Sequence, residues 1–428
     1  MNVVNSNPMT QSNLIQYIGT ALFLLALLHT FSTKWFAHMA HIDERNAGLW
    51  HLLGEVEVVF GFWAFILLTC MALIGGSDTA VSYLDRQNFT EPLFVFVILV
   101  MAGTRPILYA VNEFISWIVR FIPLPNSIAW YFLSLSVVPL LGSFITEPAA
   151  MTLAALMLRD RFFTKLIPPS MKYFTLAVLL VNISIGGVLT SFAAPPVLMV
   201  ADKWGWDIGF MIGNFGWKAA IAVTFNALLA AWIFRKVLLR LEDVENDSGK
   251  PAVPATVVFI HMLFLASTVM FSHHPAVFMG LFLFFLGFTE AYSRHQDSLM
   301  LREGLLVAFF LAGLVVLGEP QRWWLQPLLA GMDSTVLFIG TTILTAITDN
   351  AALTYLGSLV EGMTDMAKYA LVAGAVTGGG LTVIANAPNP AGFSILKGAF
   401  EEGAISPLKL FLSALVPTTI AALCFLVF

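Results

Sequence analysis

The sequence has little charge. Charged residues occupy only 11% of its 428 positions, whereas 58% are hydrophobic. Soluble domains carry about 25% charged residues, so a water-soluble fold of this composition would leave much apolar surface facing water. The low charge therefore excludes an ordinary soluble protein. With a net charge of −5, the chain also lacks the excess of basic residues that nucleic-acid-binding proteins have. We predict an all-α polytopic membrane protein embedded in the lipid bilayer, with no nucleic-acid partner.

Cysteine is nearly absent, and so is any metal-binding motif. Cys70 and Cys424 both lie in apolar runs, which excludes a disulfide framework and a zinc cluster. We expect no cofactor and no resident metal. His38, His41 and His51 surround the first loop predicted to be cytoplasmic, but their spacing matches no zinc signature. Interfacial positions and a pH-sensing role both stay open for them.

Basic residues are also absent from residues 1–13, which excludes the charged start of a cleavable signal peptide. The apolar stretch that follows, 14–31, is long enough to remain as a transmembrane helix. We therefore expect an N-terminal transmembrane helix and a cytoplasmic loop over residues 1–50.

Two apolar stretches, 127–158 and 333–361, are too long for one simple span, and each is interrupted by a polar, acidic tip. We predict that both are re-entrant helical hairpins. With the N-terminus outside, this arrangement puts most of the 21 Lys and Arg residues on the inner side, as membrane topology favours. The C-terminus is then also outside. Four basic residues fall on the outer side: Arg86, Lys203, Arg322 and Lys368.

The two tips belong to an internal repeat. Ser143-Phe-Ile-Thr-Glu-Pro-Ala-Ala-Met-Thr152 aligns with Thr345-Ala-Ile-Thr-Asp-Asn-Ala-Ala-Leu-Thr354, so that Glu147 matches Asp349. Further along, Gly186-Gly-Val-Leu-Thr-Ser-Phe-Ala-Ala-Pro-Pro196 aligns with Gly378-Gly-Gly-Leu-Thr-Val-Ile-Ala-Asn-Ala-Pro388. The hairpins open to opposite sides of the membrane, which makes the repeats inverted. Inverted repeats with interrupted spans are typical of secondary transporters, whose substrate site lies where the broken helices meet.

The repeat defines the predicted organisation of the chain. The first inverted repeat covers 51–236, with its hairpin at 127–158 and a broken helix at 172–199. A polar, acidic stretch over 237–251 is a cytoplasmic linker. The second repeat covers 252–428, with its hairpin at 333–361 and a broken helix at 366–395.

The interrupted helices predict an ion site. Irregular backbone inside a membrane is tolerated only where it is buried in protein or lines a wet cavity. Its freed carbonyls and neighbouring neutral oxygens suit a small hard cation. A carboxylate that binds either a proton or a cation couples the two movements. The candidate ion ligands are Thr146, Glu147, Thr190, Thr348, Asp349, Asn350, Thr382, Asn386 and Asn389. The candidate hinges are Gly186, Gly187, Pro196, Gly378, Gly379 and Pro388.

Plainer interpretations stay open. Glu147 and Asp349 each stand at a helix start. The alternative interpretation is that both acids only cap their helices and do not bind an ion. Glu113 and Glu319 are a possible second symmetry pair, but we expect both to be interfacial. Arg105 is either an attractor for an anionic substrate or the fixed partner of an acid.

The motifs resemble those of the ion transporter superfamily, which includes arsenite permeases, citrate and dicarboxylate carriers and sodium/proton antiporters. The stretches around Glu147 and Asp349 look most like a bacterial family of sodium/proton antiporters. The dicarboxylate carriers have Ser-Asn-Thr at their tips, whereas this chain has Ile-Thr-Glu-Pro and Ile-Thr-Asp-Asn, which favours a cation. The resemblance implies a bacterial inner membrane, a homodimer and elevator-like movement of a transport part.

These features lead to one main functional prediction and two alternatives. The main one is exchange of sodium or lithium for protons by a secondary active transporter that is not an enzyme. The first alternative is sodium- or proton-coupled transport of a small anion or organic acid. The second is an intramembrane enzyme, which requires Glu147 and Asp349 to lie within a few Å of each other.

Overall fold

The structure is a computed structural model that describes residues 8–241, 252–329, 331–400 and 405–427. Within these residues all regular secondary structure is helical, which confirms the predicted all-α class. Most of the predicted linker at 237–251 lies outside the described residues.

The first half of the chain forms fourteen α-helices among the described residues. They are α1 (Pro8–Ile42), α2 (Ala47–Gly54), α3 (Val56–Gly75), α4 (Ser77–Asp85), α5 (Thr90–Ala102), α6 (Arg105–Val119), α7 (Asn126–Leu135), α8 (Val137–Ile145), α9 (Glu147–Leu158), α10 (Pro169–Gly186), α11 (Pro195–Trp204), α12 (Ile208–Met211), α13 (Trp217–Ile233) and α14 (Arg235–Leu238).

The second half forms nine more in its described part. They are α15 (Ala255–Met270), α16 (Pro275–Ala291), α17 (Leu301–Gly318), α18 (Arg322–Leu329), α19 (Ser334–Thr345), α20 (Asn350–Ser358), α21 (Asp365–Gly378), α22 (Asn389–Leu396) and α23 (Pro407–Val427).

Seven helical stretches in the described residues are long and apolar enough to cross a membrane, and α5 with α6, bent by 63° at their junction, makes an eighth if the pair is one span. The protein is therefore a multi-pass membrane protein. The seven stretches are Asn13–Thr30, Glu57–Gly75, Asn126–Ile145, Pro169–Leu189, Ile208–Ile233, Leu301–Leu329 and Pro407–Val427.

The helices fall into two compact units. The first consists of Met1–Phe96, Leu301–Met332 and Tyr355–Met363. At the centre of this unit, α3 packs against α17. The second consists of Val97–Met300, Asp333–Thr354 and Thr364–Phe428. It contains both hairpin tips and both interrupted spans, so the candidate ion site belongs entirely to the second unit.

Within the second unit, α10 holds the first hairpin in place. The helix of the first hairpin arm is interrupted at Ser136, between α7 and α8, which frees the carbonyl of Leu135. Asn182 of α10 is fully buried, and its side-chain amide donates to that carbonyl at 2.7 Å and to the Val223 carbonyl at 3.2 Å. A buried carbonyl without a donor is costly, so Asn182 compensates for the interruption.

Candidate functional site

The first hairpin turns at Thr146. This residue has φ 72°, the only positive φ of a non-glycine residue among those described. Such a conformation costs of order 1–3 kcal/mol and persists only where the surroundings impose it. Beyond the turn, α9 runs back along α8, since a Cβ added to Gly142 would lie 3.1 Å from Cβ of Ala150. The strained turn thereby places Glu147 at the first residue of α9, inside the unit.

Glu147 is completely buried. Its Oε2 accepts a hydrogen bond from Nδ2 of Asn386 at 2.9 Å, while its Oε1 has no hydrogen-bond partner. No ion pair to Glu147 is formed by the described residues. A buried carboxylate with no opposite charge is very costly, so a carboxyl in this place is either neutral or in need of a positive charge beside it.

The two interrupted spans have the form that the repeat predicts. The first leaves α10 after Gly186, makes a short 3₁₀ turn at Gly187–Leu189, and resumes as α11 at Pro195. The second leaves α21 after Gly378, makes a 3₁₀ turn at Val383–Ala385, and resumes as α22 at Asn389. Both helices are thus interrupted at the glycines of the repeat, while their place in the membrane stays a prediction. Pro196 lies in the first turn of α11, and Pro388 directly precedes α22.

Each interrupted span is tied to its own hairpin by an equivalent hydroxyl group. Thr190 donates to the carbonyl of Ser143 at 2.5 Å, and Thr382 donates to the carbonyl of Ala346 at 2.8 Å. Both threonines follow the glycines of the repeat at the same spacing. Their hydroxyl protons are therefore committed, although each oxygen keeps a lone pair for a ligand.

A first group of residues contacts the Glu147 side chain or adjoins it in sequence, and we call it the charged cluster: Thr146, Glu147, Gly187 and Asn386. A Cβ added to Gly187 would lie 2.7 Å from Cγ of Glu147, so only glycine leaves room for the carboxylate. The Thr146 hydroxyl and the Asn386 side-chain oxygen are buried and have no hydrogen-bond partner. With Oε1 of Glu147, the cluster thus offers three unpartnered oxygens.

A second group contacts Gly379, the repeat equivalent of Gly187, or lies within two residues of it in sequence, and we call it the neutral cluster: Asn350, Thr377, Gly379 and Asn389. A Cβ added to Gly379 would lie 2.9 Å from Nδ2 of Asn350. The Asn389 amide donates to the carbonyl of Gly379 at 2.7 Å. All three polar side chains are fully buried, and each leaves its side-chain oxygen without a partner. This cluster contains no charged side chain.

The turn between α19 and α20, which carries Asp349, is built differently from the turn at Thr146, and the second hairpin stays a prediction. Oδ1 of Asp349 accepts hydrogen bonds from the backbone N–H groups of Ala351 at 2.8 Å and Ala352 at 3.1 Å. Asp349 therefore caps α20, and it is half-buried rather than fully buried. Thr348 is also half-buried, and its hydroxyl donates to the carbonyl of Leu344 at 2.7 Å. The two acids of the repeat thus have unequal surroundings, although ion binding by Asp349 stays a prediction.

Sequence reasoning missed two buried serines that support the site. Ser143 donates to the carbonyl of Gly186 at 2.7 Å and accepts from the N–H of Leu189 at 2.9 Å. Ser184 donates to the carbonyl of Val376 at 2.7 Å, and its Oγ borders Gly379. The signal for Ser143 was present, because it begins the aligned block and matches Thr345. Ser184 has no comparable signal in the sequence.

The weaker candidates lie elsewhere. Glu319 pairs with Arg322 at 3.1 Å in the first unit. Arg105 begins α6, directly after the bend, and Glu113 lies farther along the same helix. The rings of His41 and His51 are 6.1 Å apart, and the described residues contain no group of three or more His, Cys, Asp or Glu arranged to hold a metal ion.

A buried carboxyl group beside two interrupted helices, in a multi-pass membrane protein, is typical of transporters of cations or protons. The chain belongs to the family described as "Putative Na+/H+ antiporter", whose model matches residues 14–428. The description of this family is that of a transporter. A search of curated proteins found no match.

Proposed function

We propose that this protein exchanges sodium or lithium ions for protons, and that Glu147 is the residue at which the two compete. The main support is the fully buried Glu147 side chain, which has one carboxylate oxygen without a hydrogen-bond partner and no counter-charge among the described residues. A proton or one monovalent cation neutralises it equally well. Family membership supports the same function.

The surroundings of Glu147 suit a small cation rather than an anion. The unpartnered atoms of Thr146, Glu147 and Asn386 are all oxygens. Oxygen ligands are those that hard cations prefer, and an anion placed beside Glu147 would meet a like charge. The site therefore favours sodium or lithium over a carboxylate substrate.

We further propose that transport follows alternating access of the elevator type, in a homodimer with both termini outside. In support, a single unit contains both hairpin tips and both interrupted spans. The glycines Gly186, Gly187, Gly378 and Gly379 and the prolines Pro196 and Pro388 would then act as hinges at the ends of the broken helices. Cysteines introduced near each terminus and labelled with an impermeant reagent would test the sidedness.

The exchange is tested in proteoliposomes that carry a pH gradient reported by a dye. Addition of sodium or lithium is expected to dissipate the gradient, and Glu147→Gln is expected to abolish the response. The matched control is Asp365→Asn, because Asp365 also stands in the first turn of a helix of the second unit but is 94% exposed. The proposal would be refuted if neither sodium nor lithium dissipated the pH gradient. It would also be refuted if the double variant Glu147→Gln/Asp349→Asn kept the full response.

The competing function, coupled transport of a small anion or organic acid, is tested with the same purified protein. A ligand that binds the folded state raises its apparent melting temperature by mass action. Sodium or lithium is expected to stabilise the protein, whereas chloride, phosphate and citrate as potassium salts are not. Stabilisation by one of these anions alone would favour the anion transporter.

A further inference from the structure

The first unit contains a cavity of about 620 Å³, lined by both polar and apolar side chains, that the proposed transport does not use. Binding sites for small ligands typically occupy about 300–1,000 Å³, so the volume fits a headgroup-sized molecule. The cavity is enclosed by the start of α1, the end of α3, α4 and the segment that joins α17 to α18. Its lining residues are Ile15, Gln16, Met71, Asp78, Thr79, Ser82, Tyr83, Arg86, Glu319, Pro320 and Arg322.

The cavity lies at the level where spans end. The first span begins at Asn13 and α3 ends at Gly75, both beside lining residues. Tyr17 and Trp323 stand next to lining residues in sequence, and their rings pack edge-to-face at 5.5 Å while both side chains stay exposed. Exposed Tyr and Trp mark the headgroup level of a bilayer. The cavity therefore opens among lipid headgroups.

The short helix α4 supplies the polar wall of the cavity. Gly76, with φ 86°, redirects the chain after α3, and no residue of α4 is buried. Leu73 and Val81, on either side of this turn, are 82% and 56% exposed. Exposed apolar side chains beside a polar cavity suit an amphipathic ligand whose acyl chains lie outside.

The cavity lining contains equal numbers of acidic and basic side chains. Glu319 and Arg322 already pair at 3.1 Å. Asp78 and Arg86 are exposed, and in the described part of the chain neither forms an ion pair or a side-chain hydrogen bond. They are eight residues apart, so their backbones are separated by about 12 Å along a helical path of 1.5 Å per residue. An acid and a base held apart in this way complement a ligand that carries both charges.

The remaining lining residues indicate which amine the ligand carries. A quaternary ammonium group has no N–H and is recognised by aromatic cages, but Tyr83 is the only aromatic residue of the lining. The Tyr83 hydroxyl, moreover, donates to the Val316 carbonyl at 2.6 Å. A primary ammonium group donates three hydrogen bonds, which the Asp78 carboxylate accepts. Arg86, with the Ser82 hydroxyl, suits the phosphate.

We propose that this cavity binds a zwitterionic phospholipid whose headgroup carries a primary amine, of the phosphatidylethanolamine type. Asp78 binds the ammonium group and Arg86 binds the phosphate. Pro320 shapes the site, because it has no N–H to offer the Val316 carbonyl and so leaves that carbonyl to Tyr83.

The test is native mass spectrometry of the full chain, released from detergent with equimolar phosphatidylethanolamine and phosphatidylcholine of identical acyl chains. The wild type is expected to bind the ethanolamine lipid at least about tenfold more tightly than the choline lipid. This ratio corresponds to the free energy of one charge-assisted hydrogen bond. Asp78→Asn is expected to remove this preference. Arg86→Gln is expected to weaken binding of both lipids. Asp85→Asn, on the same helix but outside the lining, is the matched control and is expected to behave as the wild type.

Equal retention of the two lipids by the wild type would overturn the proposal. So would an unchanged preference in Asp78→Asn, or loss of preference in the Asp85→Asn control. A third arm adds soluble glycerophosphoethanolamine at the lipid concentration. Displacement of the lipid by this compound would show that a soluble phospho-amine is the ligand instead. Melting temperatures of all variants without lipid verify that each is folded.

Discussion

Gly187→Ala provides a sharp test of the charged cluster, because it adds one methyl group at a known place. Gly187 has φ −76° and ψ −5°, a conformation that alanine adopts without strain. Any effect must therefore come from the new Cβ, which would lie 2.7 Å from Cγ and 3.0 Å from Cδ of Glu147. Real Cβ atoms do not approach carbon this closely, so the Glu147 side chain has to move.

The size of the effect follows from the packing. The Glu147 side chain is fully buried and is bonded to Asn386, so it has little room to retreat. Overpacking of this kind costs roughly 1–3 kcal/mol. If that cost falls on the ion-bound state, the apparent affinity for sodium decreases by about 5- to 150-fold.

The assay is the sodium concentration that gives half-maximal dissipation of a pH gradient in proteoliposomes. Gly213→Ala is the matched control, since it adds the same methyl group in the same unit where nothing lies within 4 Å. If Gly187→Ala and Gly213→Ala require the same sodium concentration, the charged cluster is not the cation site.

Three further predictions concern single side chains. Asn386→Leu should reduce exchange at least about tenfold, because Glu147 loses its one hydrogen bond at a cost of about 1.5–3 kcal/mol, and unchanged transport kinetics would contradict this. Asp349→Ala should lower the free energy of unfolding by about 1 kcal/mol in denaturant titrations, whereas Asp349→Asn keeps the cap and should not. Loss of exchange in a folded Asp349→Asn would instead show that the charge takes part in transport. Tyr83→Phe should destabilise the first unit by about 1–3 kcal/mol, because the Val316 carbonyl loses its donor, while Tyr17→Phe should have little effect; equal melting temperatures for the two would refute this contact.

Much of the fold was predictable because the repeat carries explicit backbone information. Paired glycines followed by proline forbid a continuous helix in a stretch that is otherwise long enough to span, and the structure interrupts both spans at these glycines. The bend between α5 and α6 and the interruption at Ser136 were not predicted. At the second of these, Pro139 has no N–H for the Leu135 carbonyl, and the donor that replaces it is Asn182, which is distant in sequence and belongs to no motif.

The candidate site was predictable in part. The repeat singled out Glu147, the interrupted helix beside it drew attention to Asn386 and Asn389, and the structure places all three in buried polar clusters. It also implied that Glu147 and Asp349 are equivalent, and here their surroundings differ. Glu147 follows a strained turn and precedes Pro148, whereas Asp349 precedes residues whose N–H groups it caps. Symmetry of sequence does not determine which acid is buried, because burial depends on packing from the opposite repeat.

The pairing of Asn386 with Glu147 shows how the two repeats cooperate. Asn386 belongs to the interrupted span of the second repeat, and Glu147 to the hairpin of the first. The corresponding position in the first repeat is Ala194, which has no polar side chain. The charged cluster therefore has no symmetry-related copy in the other repeat. The neutral cluster around Gly379 occupies the equivalent position.

The central claim is that a proton and a cation compete for Glu147. Its most direct measurement is proton release from purified protein in weakly buffered detergent solution when sodium chloride is added, followed with a pH dye. The account predicts release from the wild type and from Asp365→Asn, no release from Glu147→Gln, and no release from any of them with choline chloride. Undiminished sodium-dependent release from folded Glu147→Gln would contradict the account.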